Sequence, residues 1–244
     1  MAGWKLSRRG FLTSTLITTT ALLVPGAFAR TISGEVPWLP GRANLPPAYP
    51  DLRFFTTAER SCIDAIIARL IPTDETGAGA REAGVTDFID SQLAGFYGKG
   101  ERWYMQGPFA DEKLDTQGYQ SEQPPAQLYR DAIEALDAHC EQTLGSVFAR
   151  LEENQQDEIL KRLEEGDLEL DGVSAKAFFD LVLENTIEGF FSDPIYGGNR
   201  DMVGWKLVGF PGARYDYRDY LDHNGEPVIL EPVGLKGRPA WTPA

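Results

Sequence analysis

The side chains able to do chemistry are few, and their spacing suits none of the common reactions. Histidine occurs only as His139 and His223. His139 has Leu136 three residues before it, so the Glu-x-x-His pairs of a di-iron bundle are missing, and there is no His-x-x-x-His zinc pair. Cys62 and Cys140 lie far apart in sequence, which excludes CxxC redox chemistry and a four-thiolate metal site. An internal disulfide, two buried thiols, or a bond to a partner's thiol all remain open for this pair. There is no Gly-x-Ser-x-Gly elbow and no Walker loop. Gly77-x-Gly79 follows a helical pattern and lacks the third glycine of a dinucleotide loop. Asp74 and Glu75 could act as acid and base or as calcium ligands. Without a fixed oxygen-ligand spacing they read as turn residues. The expectation is a chain with no catalytic, cofactor-binding or metal-binding residue of its own.

One short motif is specific. Ser7-Arg8-Arg9-Gly10-Phe11-Leu12 precedes a weakly apolar run to Val24 and the small-x-small site Ala27-Phe28-Ala29. Arg8, Arg9, Phe11 and Leu12 make this a twin-arginine export signal, with cleavage after Ala29. The run carries six Ser and Thr residues between Thr13 and Thr20 and is short of the ~20 apolar residues of a spanning helix. Twin-arginine export moves folded proteins, often because they hold a cofactor. A signal of this kind on a chain without a cofactor motif places the cofactor in a partner. The periplasm is the expected destination.

The 244 residues carry a formal charge of −14. The signal contributes Lys5, Arg8 and Arg9 and no acid, so the remainder is more acidic still. Such a surface repels phosphate backbones and anionic lipid, which argues against nucleic-acid and direct membrane binding.

The chain divides into a signal at 1–29, a proline-rich arm at 30–53, a helical domain at 54–223 and a Pro/Gly-rich tail at 224–244. Thr56-x-x-Glu59 is a capping box, and Ile63, Ile66, Ile67, Leu70 and Ile71 draw one apolar stripe behind it until Pro72. Val85, Phe88, Ile89 and Leu93 predict a second helix. Leu128, Ile133, Leu136, Cys140, Leu144, Val147 and Phe148 predict a third from about Pro125 to Leu151. Asn154 is the expected cap of a fourth helix, which stops at Gly166. Ser174 is the expected cap of a fifth, apolar on more than one face and therefore central. Strand-like alternation is nearly absent. The fold class is all-α, an irregular helical bundle with extended Pro/Gly-rich N- and C-terminal arms.

The stretch after the fifth helix changes character. Asp193-Pro194-Ile195-Tyr196-Gly197-Gly198-Asn199 combines close-approach glycines with an asparagine that tolerates left-handed backbone. Tyr196, Gly197, Gly198, Asn199 and, further on, Trp205 are candidate docking or structural positions. A tight turn packed on its own helices and a docking surface for another subunit fit equally.

Glu188-Gly189-Phe190-Phe191-Ser192-Asp193-Pro194-x-Tyr196-Gly197-Gly198-Asn199-Arg200-Asp201, followed by Gly204-Trp205 and Gly209-Phe210-Pro211-Gly212, resembles the gluconate 2-dehydrogenase small-subunit family. Phe55-Thr56-x-x-Glu59, Leu70-Ile71-Pro72-Thr73-Asp74, Gly77-Ala78, Ala83-Gly84-Val85, Phe88-Ile89-Asp90 and Gln156-Asp157-x-Ile159-Leu160 extend the resemblance over 54–217. It implies a complex. A glucose-methanol-choline-type flavoprotein carries FAD and oxidises the sugar acid. A multihaem cytochrome c subunit, with haem c, passes electrons to membrane quinone. The small subunit has no redox centre and supplies the signal recognised by the Tat translocase. The complex sits in the periplasm, attached to the cytoplasmic membrane. A stand-alone periplasmic ligand-binding module, using the 98–124 loop and the aromatics of 190–217, is the competing reading.

Overall fold

A computed structural model describes residues 53–109, 118–119, 121–214, 217, 220–223, 225–227 and 229–235. All belong to a single structural unit. Arg8, Arg9, Phe11, Leu12, Ala27 and Ala29, the proline-rich arm before residue 53, and the tail beyond 235 lie outside the described residues.

The described residues form six α-helices and no strand: α1 Thr57–Leu70, α2 Val85–Ala94, α3 Pro125–Leu144, α4 Glu153–Glu165, α5 Ala175–Phe191 and α6 Val203–Val208. Local chemistry sets most of their ends. Thr56 caps α1 through the expected box: its hydroxyl accepts from the Glu59 amide at 3.3 Å, and its own amide donates to Glu59 Oε2 at 2.6 Å. Ser174 Oγ accepts from the Ala177 amide at the start of α5. Gly166 ends α4 at φ 76°, where its amide donates back to Arg162 and Leu163.

Two expected boundaries are corrected. The third helix stops at Leu144 rather than Leu151, because Gly145 turns left-handed at φ 76°. Phe148–Arg150 then form a separate 3₁₀ turn that buries Phe148, and Asp137 Oδ1 accepts the Phe148 amide at 3.0 Å. The cap of α4 is Glu152 rather than Asn154. Glu152 forms a capping box with Gln155, and a helix starting there lets buried Gln156 donate Nε2 to the Phe148 carbonyl at 3.0 Å. A tertiary bond thus outweighs the better local cap.

α5 packs against each of the other five helices, as its two apolar faces require. Phe178, Val182 and Phe190 bury one side of it. Tyr129 of α3 meets Phe178 edge to face at 5.7 Å, the arrangement the ring quadrupoles favour. Buried Asn185 fixes the register. Its Oδ1 accepts from Tyr129 Oη at 2.9 Å, and its Nδ2 donates to Tyr97 Oη at 2.7 Å. Burial pushes the Tyr129 phenol well up, so it stays a neutral donor.

Buried Asp90 holds the point where the chain enters the domain. Its carboxylate accepts three successive amides, from Arg53, Phe54 and Phe55, at 2.8, 3.0 and 2.8 Å. Three donors to one carboxylate compensate for its burial.

Candidate docking surface

The segment from Gly189 to Gly212 is built by close backbone approach. Gly198 lies against the last turn of α5: a Cβ there would sit 2.2 Å from the Gly189 carbonyl oxygen. A Cβ at Gly204 would sit 2.2 Å from the Phe190 carbonyl oxygen. Only glycine fits either position without moving the backbone.

Asn199 ties the two contacts together. It is fully buried, at φ 47°. Its Nδ2 donates to the Ser192 carbonyl at 2.8 Å, and its Oδ1 accepts the Gly204 amide at 2.9 Å. Asp201 and Met202 also adopt left-handed backbone, at φ 57° and 56°. Three such non-glycine residues in four positions carry a strain of about 1–2 kcal/mol each. The surrounding contacts must over-determine this backbone.

Those contacts reach an element far away in sequence. The Arg200 amide donates to the Ala83 carbonyl at 2.9 Å. Its guanidinium donates to Asp87 Oδ2 at 3.1 Å, while Arg60 Nη1 holds Asp87 Oδ1 at 2.8 Å. Gly84 faces this junction, where a Cβ would meet Arg200 Nη2 at 3.0 Å and the Gly197 carbonyl at 3.2 Å. Ala83-Gly84-Val85 and Tyr196-Gly197-Gly198-Asn199, two of the sequence motifs, therefore meet in space.

Trp205 completes the platform. It is 6% exposed, and its Nε1 donates to the Phe191 carbonyl at 2.7 Å. Its ring meets Phe210 edge to face at 5.2 Å. The returning chain closes the far side: the Ala213 amide donates to the Val233 carbonyl at 2.7 Å, and the Leu235 amide donates to Asp193 Oδ2 at 2.7 Å.

The five candidate positions thus divide. Gly197, Gly198, Asn199 and Trp205 are buried and make the platform. Tyr196 is 51% exposed and points outward from it. Leu207, Val208 and Phe210 are 52%, 59% and 46% exposed, and Ile187 and Phe191 add the outer side of α5. Sequence reading counted Ile187 only among the apolar residues of the fifth helix and did not single out Leu207 and Val208. The one available signal was an apolar pair set among glycines, Leu207-Val208-Gly209.

The other candidates fall elsewhere. Cys62 on α1 and Cys140 on α3 are both fully buried free thiols. Burial, then Asp137 and Cys140, push the Cys62 thiol well up. Burial and then Asp137 push Cys140 up to about 11. Neither thiol is a nucleophile at neutral pH. Asp74 accepts from the Thr76 hydroxyl and amide in a tight exposed turn, bonds that hold its carboxyl below the usual range. An open hollow of about 630 Å³ is lined by residues of the turn between α4 and α5, including Leu168, Glu169 and Asp171. Among the described residues, no three His, Cys, Asp or Glu side chains gather in a way that could hold a metal ion, and no helix is long and apolar enough to cross a membrane.

A family model for gluconate 2-dehydrogenase subunit 3 matches residues 57–212. The chain belongs to that family. The match begins at the capped start of α1 and ends at Gly212, so it contains both halves of the junction at Gly84 and Arg200. No curated protein and no solved structure matches this subunit 3-family chain. Membership makes it a subunit type of a multisubunit dehydrogenase.

Proposed function

We propose that this chain is the non-catalytic small subunit of a periplasmic FAD-dependent gluconate 2-dehydrogenase, or of a close relative acting on another sugar or polyol. It stabilises the flavoprotein subunit and escorts it through twin-arginine export. FAD and haem c belong to the partner subunits on this reading. The flavoprotein takes a hydride from a secondary alcohol, and the multihaem cytochrome c carries the electrons away. Association with the membrane comes only through the complex.

The observation that carries this reading is the platform at Gly189–Gly212. The family-matched segment uses its glycines, Asn199 and Trp205 to hold a strained backbone, and Phe191, Tyr196, Leu207, Val208 and Phe210 are among the side chains it shows to solvent. Asp87, Asp193, Asn199 and Arg200 are each bonded to neighbouring groups within the fold. A surface of this kind fits a subunit that braces a neighbour rather than a reaction centre.

The test is export. Replacing Arg8 and Arg9 with lysine should leave this chain and the flavoprotein together in the cytoplasm, read by cell fractionation and flavin-dependent dye reduction. A flavoprotein that still reaches the periplasm defeats the escort role.

A further inference from the structure

We infer that Cys62 and Cys140 record the order of this subunit's biogenesis. The domain closes its core around both thiols before it meets a disulfide oxidant, and the pair stays an unbonded dithiol in the oxidising compartment. This rests on the twin-arginine export proposed above and adds the state in which the chain crosses.

Three observations converge. The first is access. Cys62 on α1 and Cys140 on α3 have no solvent exposure, and both belong to the apolar core that also holds Ile63, Leu136 and Phe148. Thiol–disulfide exchange needs contact between a thiolate and a disulfide sulfur. Neither thiol can be reached while α1 and α3 are packed. Burial also excludes a bond to a partner's thiol, one of the three outcomes the sequence leaves open.

The second is charge. Besides burial, the groups that act on Cys62 are Asp137, Cys140 and Glu59, and Asp137 acts on Cys140 as well. Each favours the neutral thiol. Reactive cysteines instead lie beside cations or at helix N-termini. With Cys140 pushed from 9.0 to about 11, its thiolate fraction at neutral pH falls about a hundredfold.

The third is timing. Cys62 and Cys140 are the 2 cysteines of the chain, on helices far apart in sequence. In an unfolded chain nothing covers them. A disulfide oxidant, protein or small molecule, would then oxidise them: the two thiols lose two protons and two electrons as their S–S bond forms, and the oxidant's own disulfide opens to two thiols. A chain that crosses unfolded meets that oxidant open. A chain that crosses folded meets it closed, so two free thiols in the exported protein mark folding first.

The full chain is co-expressed with the flavoprotein, and the periplasmic fraction is precipitated in acid, then redissolved in denaturant with a maleimide. The intact mass should show two adducts on every chain. Oxidised glutathione added to the native complex should leave both thiols free, and the same reagent added with urea should modify both.

A Cys62–Cys140 disulfide or a mixed disulfide in the periplasmic protein overturns the inference. So does rapid modification of the native complex by oxidised glutathione, because the fold would then not shield the pair. Arrival of the Arg8→Lys, Arg9→Lys chain in the periplasm defeats the export reading itself, a distinct result that the thiol count does not touch.

Discussion

Two glycine-bearing segments flank α5, and they use glycine in opposite ways. Before it, the turn from Gly166 to Ser174 has Gly166 at φ 76° and Gly172 at φ 71°, with open space around Gly172. There glycine supplies only a left-handed angle. Leu168 and Leu170 point into the core, and Asp167, Glu169 and Asp171 point to water. After α5, Gly198 and Gly204 are needed for space, since a Cβ at either would lie 2.2 Å from a carbonyl oxygen. There Met202 and Trp205 point inward, but Tyr196, Leu207, Val208 and Phe210 point to water. The first segment is a solvated turn complete in itself. The second has a fully packed inside and an outside that solvent does not favour. The family match includes both, so membership alone does not separate them. Burial does.

The contrast breaks first at its strongest point. Gly198→Val should cost about 3 kcal/mol, the upper end for forced overpacking, and abolish partner binding through loss of the platform. Urea denaturation against the wild type measures it; a loss below about 1 kcal/mol would mean that the backbone yields. A defect in binding from this variant would not identify a docking residue, because Gly198 is buried.

Asn199→Ala should come next, at about 2 kcal/mol, by leaving the Ser192 carbonyl and the Gly204 amide without their bonds. Asn199→Asp should cost as much or more at neutral pH, because a buried carboxylate would face the Ser192 carbonyl where Nδ2 now donates. A loss under about 0.5 kcal/mol for the alanine variant would show that the side-chain bonds do not hold the turn.

At the other segment, Gly172→Ala should cost about 1 kcal/mol, the left-handed penalty without a steric one. A cost as large as that of Gly198→Val would erase the distinction drawn above.

The smallest effect belongs to the acidic helix α4. Arg69 clamps Asp157 with bonds of 2.7 and 2.8 Å, joining α1 to α4 in solvent. Asp157→Asn should cost under about 1 kcal/mol at neutral pH. The bond from Arg69 lowers the Asp157 carboxyl below its ordinary value. The pair therefore contributes stability above the ordinary carboxylate range and loses it as pH falls through the lowered value. Melting of the variant should match the wild type at the acid end of that window. A difference that persists in acid would assign the effect to packing instead of charge.

How far the sequence could be read varies with the range of the interaction. The Thr56–Glu59 box, the stripe from Ile63 to Ile71, the stop at Gly166 and the Ser174 cap all lie within a few turns, and each stands where the spacing put it. The overrun past Gly145 has a plain cause: Val147 and Phe148 keep a helical period while occupying a separate 3₁₀ turn. Asp90 entered only as the last residue of the Phe88-Ile89-Asp90 motif, with no role attached, and Asn185 gave no signal. Their partners lie 35–37 and 56–88 residues away, and a lone polar residue in an apolar pattern looks like an interruption until those partners are in place.

Short-range spacing was enough for the helical class, and the resemblance carried by the motifs was enough for the family. Those follow from periodicity, capping and motif, which are properties of neighbours along a chain. Which side of the Tyr196-Gly197-Gly198-Asn199 stretch faces inward was settled only when Gly198 met Gly189, Gly84 met Arg200 and Trp205 met Phe191. Inside and outside are relations between distant segments, and a one-dimensional pattern without period does not contain them.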